Sequence, residues 1–134
     1  MRTAIIVAAL SFAACTTDFS TLDLRGDWGG EHVALSVAAD SAALEFDCAT
    51  GAMTEPIAPN ASGAFTASGY YIPGQGGPER PEDVGKLLPA EYTGTTDADD
   101  MTLIVTLTET GQSIGFYTLF RNEAPTLFKC LLAE

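Results

Sequence analysis

The chain has 134 residues, 46% of them hydrophobic, and 18 acidic against 6 basic residues give it a formal charge of −12. That length suits one domain around a single core. The charge argues against nucleic acid and anionic membrane surfaces as partners, while leaving solvation, cations or a basic protein open.

In chain order, the N-terminus reads "MRTAIIVAALSFAACTT", with one positive charge at Arg2, an apolar run from Ala4 to Ala14, then Cys15. A charged start, an apolar run too short to span a bilayer and small residues before a cut site predict a secretory signal peptide over residues 1–14. Small residues directly before Cys15 resemble the bacterial lipobox, in which the cysteine is acylated and becomes the mature N-terminus. On that reading Cys15 carries lipid, residues 15–23 are a lipidated tether, and residues 24–134 form the domain. The alternative is an ordinary signal peptide cut after Ala14. Thr16 after the cysteine resembles outer-membrane retention signals, which implies a bacterial envelope protein facing the periplasm. Loss of Arg2 with the leader leaves five basic against eighteen acidic residues, a charge of −13. No later apolar segment is long enough to cross a membrane, so the lipid would be the sole membrane contact.

Beyond the tether, period-two patterning recurs. "HVALSVA" alternates Val33, Leu35 and Val37 against His32, Ala34 and Ser36. "ALEFDC" alternates Leu44, Phe46 and Cys48, and "MTLIVTLT" alternates Met101, Leu103, Val105 and Leu107. Turn signals fall at Asp40-Ser41, Thr50-Gly51, Asn60–Gly63, Asp97–Asp100, Thr110-Gly111 and Asn122–Pro125. Spacing of about ten residues predicts an all-β meander, sandwich or barrel. The predicted strands are 25–38, 42–49, 52–58, 64–72, 89–96, 101–108, 113–121 and 126–132. The first carries a bulge at Gly29-Gly30. An even number of sequentially linked antiparallel strands can close with the first beside the last, removing both edges. The expectation is a single up-and-down barrel, monomeric and without a cofactor. "PGQGGPERPEDVGKLL", residues 73–88, is the one long link.

If Cys15 carries lipid, Cys48 and Cys130 remain as a pair in an oxidising compartment, and a disulfide is expected. A thiol nucleophile activated by His32 is the alternative. The meander puts both cysteines at one end of the barrel, the end where the chain enters near Arg25. By the same strand count Asp40, Asp97, Asp99, Asp100 and Glu123 gather at the far rim.

"GDW", Gly26-Asp27-Trp28, resembles the G-x-W signature of the lipocalin and avidin-type barrels, together called calycins. The resemblance implies that Trp28 plugs the closed end against a basic residue of the last strand, which the predicted topology makes Lys129 rather than Arg121. "GDWGGEH", "EFDCATG" and "KCL" also resemble a family of small secreted bacterial lipoproteins, which implies no activity. "FDCATG" is similar to the start of c-type lysozyme inhibitor lipoproteins, and "ASGYY", Ala67–Tyr71, resembles their Ser-Gly-x-x-Tyr loop with one residue fewer.

Catalytic groups are sparse. His32 is the single histidine, and no nucleophile elbow or phosphate-binding glycine loop is present. Asp97, Asp99 and Asp100 are weak candidates for a metal, but their spacing lacks the EF-hand ligand pattern and suits a hairpin turn. The expected function is non-enzymatic: binding a small ligand or an envelope protein, or alternatively inhibiting an exported hydrolase such as c-type lysozyme. Because eight strands leave little interior room, access is expected at an end, with Gln75, Glu79, Arg80, Glu82 and Asp83 of the long loop as contacts.

Overall fold

The computed structural model describes residues 22–74 and 81–130. The predicted signal peptide, Cys15 and most of the tether lie outside the described residues, as do Gln75, Glu79 and Arg80.

Where apolar and polar residues alternate, the chain is a strand. The strands are β1 (Gly26–Gly30), β2 (Val33–Val37), β3 (Ala42–Phe46), β4 (Ala49–Met53), β5 (Ala64–Pro73), β6 (Leu88–Thr96), β7 (Asp100–Leu107) and β8 (Ser113–Arg121). Each pairs antiparallel with its sequence neighbour, and β1 pairs with β8 from Trp28–Arg121 to Gly30–Leu119, closing the barrel. The expected fold and strand number are therefore found, with three changes of membership.

First, residues 25–38 are a hairpin rather than one bulged strand. Gly30 pairs with Val33 across a turn of Glu31 and His32, and His32 takes φ 68°. Histidine tolerates that left-handed conformation better than most side chains. Second, Gly51 lies inside β4, and the turn before it is Asp47-Cys48. Third, the expected strand 126–132 is absent from the ring. In its described part only Thr126 pairs, in an isolated parallel bridge with Glu31.

One strand gained and one lost leave the total even, so closure survives. The extra hairpin nevertheless reverses the direction of everything after it. Arg121 ties the entering segment to the β6–β7 turn, donating to the carbonyls of Asp23 (2.7 Å) and Ala98 (2.7 Å). The acidic turns therefore share the rim at which the chain enters, contrary to expectation. At the opposite rim, the Gly74 N–H donates to the Cys48 carbonyl (2.6 Å). The long β5–β6 connection and the Cys48–Cys130 bridge thus sit together there, away from the entry.

The inward side chains, Val33, Leu35, Leu44, Phe46, Met53, Phe65, Met101, Leu103, Val105 and Leu119 among them, form one buried cluster inside the barrel. Tyr92, also fully buried, reaches from β6 to donate its hydroxyl to the Tyr70 carbonyl on β5 (2.7 Å). A side chain at Gly51 would occupy the place of that hydroxyl, which is why a residue that reads as a turn stands within a strand. Burial pushes the Tyr92 phenol well above the ordinary tyrosine range.

Candidate binding surface

The segment after β8 shapes the outer wall of the barrel. Asn122 turns the chain back with φ 58°, and residues 123–130 run as a strap across the outside of β1 toward the Cys48 rim. The strap lies close because β1 has no side chain at Gly29: a methyl there would collide with the Glu123 carbonyl. The Thr126 N–H donates to the Gly30 carbonyl (3.1 Å), and the Thr126 carbonyl accepts the His32 N–H (2.8 Å). Farther along, the Phe128 N–H donates to Asp47 Oδ1 (2.8 Å), and the Cys130 N–H to the Asp47 carbonyl (3.3 Å). The Cys48–Cys130 disulfide, with Cα atoms 5.2 Å apart, fastens the end.

His32 belongs to this fastening. Its Nδ1 donates to Asp47 Oδ2 (2.6 Å), and its ring packs on Phe128 with centroids 5.5 Å apart. Asp47 thereby holds both the β1–β2 turn and the strap. Lys129, expected beside Trp28, instead pairs with Glu45. The basic group on Trp28 is Arg121, whose guanidinium lies 4.6 Å from the ring centroid. The indole N–H donates to the Leu24 carbonyl (2.9 Å), and the ring is 1% exposed. The expectation that set Arg121 aside failed with the inverted strand direction: β8, not the strap, is the barrel's last strand, and it delivers Arg121 to the entry rim.

Beside the strap, the outer faces of β2, β3 and β4 carry Ala34, Ser36, Ala43, Thr50 and Ala52, cross-strand neighbours with little bulk. Tyr70 and Ile72 on β5 stand opposite the strap's Glu123 and Pro125. Low floor and high walls make a groove of about 660 Å³, with Asp27, Glu45 and Glu123 as its charged groups. Asp27 and Glu123 have no ion-pair or hydrogen-bond partner for their carboxylates among the described residues. Sequence reasoning missed this groove because small outward residues look like unremarkable pleat positions until a strap is known to border them.

The other expected sites fare differently. Glu82 and Asp83 lie in or beside a 3-10 turn over Pro81–Asp83, where Lys86 is 3.8 Å from Asp83, and they do not line the groove. Asp97 accepts the N–H groups of Asp99 (2.8 Å) and Asp100 (2.9 Å), which hold its carboxyl below the usual carboxylate range. Its oxygen is thus committed to the β6–β7 turn, and among the described residues no three His, Cys, Asp or Glu side chains converge on a common point that could hold a metal. No family model matches the chain, and the searches of curated proteins and of solved structures likewise find no match.

Proposed function

We propose that the protein is a non-enzymatic binding module of the bacterial envelope, lipid-anchored through Cys15, that docks a basic protein on its outer wall. The carrying observation is the groove. It is large, floored by small side chains and bordered by two unpaired carboxylates, on a chain of net charge −12. Complementary charge steers such an encounter and fixes its orientation. The interior is occupied by buried side chains, which favours the wall over a lipocalin-style internal calyx. Trp28 stacked under a basic residue of the last strand supports the calycin-like reading of the architecture.

Ala43→Trp tests the site. Ala43 is exposed and faces away from the core, so the indole fills the groove without disturbing packing. Affinity capture from the host envelope should retain a basic protein on the parent, and lose it on Ala43→Trp. Equal retention by both would sink the groove as the docking surface.

Inhibition of c-type lysozyme is the second reading. It is favoured by Tyr70, which belongs to the Ala67–Tyr71 stretch and stands on the groove wall. Lysozyme activity measured at micromolar protein decides it, and full activity removes this reading alone.

A further inference from the structure

Across the strap from the groove, a second cleft of about 540 Å³ opens between the strap and the outer face of β8. One wall carries Phe116 and Phe120, 65% and 43% exposed, with Thr118 between them on the same face. The other carries Glu31 of the β1–β2 turn, Glu123, which at the head of the strap borders both the groove and this cleft, and Thr126. Neither Glu31 nor Glu123 has a side-chain partner among the described residues. Their backbones are held: Gly30 and His32, on either side of Glu31, both hydrogen-bond to Thr126. The cleft therefore offers exposed aromatic faces and unpaired carboxylates on restrained chain, an arrangement that a cation completes and a neutral apolar group does not.

The kind of cation follows from the geometry of the acceptors. The two carboxylates come from different elements, and Thr118 and Thr126 line the same cleft. A guanidinium bonds best to one coplanar carboxylate, whereas an ammonium is a point charge with three rotatable donors that can serve separate acceptors. A trimethylammonium has no donors and would leave those oxygens unused. The methylene stem of a lysine also suits the Phe116 and Phe120 rings.

We propose that this cleft receives a lysine side chain of the basic partner protein. The proposal rests on the docking reading above, yet it can be tested without the partner. The probe is n-butylammonium, titrated into ¹⁵N-labelled protein with its native N-terminus and followed by amide chemical shifts. n-Butylguanidinium, n-butyltrimethylammonium and n-butanol are the comparison arms.

Saturating shifts are expected at Glu31, His32, Thr118 and Phe120, strongest in affinity for butylammonium and absent for butanol. Glu31→Gln and Glu123→Gln should each weaken binding by about threefold, as for an exposed charge pair. Phe116→Leu, which keeps the apolar contact and removes the ring face, should weaken it similarly. All three positions are exposed, so the variants keep the parent spectrum elsewhere. No saturating shift at the cleft overturns the proposal, as does equal affinity for butanol. Shifts confined to Asp97–Asp100 would show diffuse attraction to the acidic rim and overturn it too. Tighter binding of the guanidinium or the trimethylammonium would overturn the assignment to lysine. Failure in any of these arms leaves the groove to be decided by Ala43→Trp.

Discussion

Gly51→Ala probes the packing at the centre of the barrel. The added methyl would overlap the Tyr92 hydroxyl and lie 3.0 Å from the Tyr70 carbonyl and 3.4 Å from Phe46 Cε2. Tyr92 is fully buried, so its ring cannot swing into solvent to make room. If the hydroxyl leaves Tyr70, a buried donor and acceptor lose each other, costing about 1–3 kcal/mol. The accompanying overpacking costs about 1–3 kcal/mol, and removing a strand glycine returns about 0.5–1 kcal/mol. The net loss should be about 3 kcal/mol. Tyr92→Phe alone forfeits the hydrogen bond, about 1 kcal/mol, and leaves Phe46 as the nearest side chain to the new methyl. In that background Gly51→Ala should cost less than about 1 kcal/mol, a coupling of about 2 kcal/mol between the two positions. Urea unfolding followed by the fluorescence of Trp28, the single tryptophan, measures all four proteins. An equal cost of Gly51→Ala in both backgrounds would refute the reasoning, because the hydroxyl would then not be the obstacle.

Cys48→Ser should lower stability by about 3–5 kcal/mol, since the bridge spans a sequence separation of 82; unchanged urea unfolding would mean the strap is held without it. Arg121→Ala should cost about 1–3 kcal/mol through the Trp28 stack and its carbonyl bonds, whereas Lys129→Ala should cost under about 0.5 kcal/mol. The reverse order would restore Lys129 as the partner of Trp28. The Asp23 carboxyl has its pKa pulled down from 3.8 to about 2 by the Arg25 side chain hydrogen-bonded to it. Its stabilising contribution is therefore in place above the ordinary Asp value of 3.8 and fades as pH falls toward about 2. Carboxyl shifts followed by NMR should show this, with the midpoint rising in Arg25→Ala. Tyr92, raised by burial, stabilises the fold below the usual tyrosine value of 10.0 and loses that contribution as pH rises beyond it. Native protein should keep at least the Tyr92 phenol un-ionised until alkaline unfolding, read by tyrosinate absorbance.

The closed eight-strand ring was legible because Val33, Leu35, Val37 and Met101, Leu103, Val105, Leu107 alternate cleanly and face the core. The pattern around 29–32 misled because Glu31-His32 carries no Asn-Gly or Asp-Gly signal, and a strap above the turn, remote in sequence, holds it in place. Gly51 misled for a related reason: its lack of a side chain serves Tyr92, about forty residues away, rather than a local turn. "TLFKC" reads as a strand, yet beyond the single Glu31–Thr126 bridge its anchors are Asp47 and Cys48 rather than a ladder. The disulfide followed once Cys15 was set aside as the lipid site, which left Cys48 and Cys130 as a pair. The groove and cleft needed the strap, and nothing local announces where a chain end will lie.

The strap also bears on how the ring comes apart. Seven of the eight pairings join neighbours in sequence, and only the β1–β8 seam joins distant ones. Closing that seam carries the loop-closure entropy of nearly the whole domain, so it is where an unreinforced meander would be expected to open first. Here the strap leaves β8, crosses β1 and is bonded covalently beyond β3. The weakest joint of the topology thus carries a brace that stays attached after the seam's own hydrogen bonds part. Opened strands are held within reach of reclosing, so the oxidised protein should resist unfolding by its rate as much as by its equilibrium.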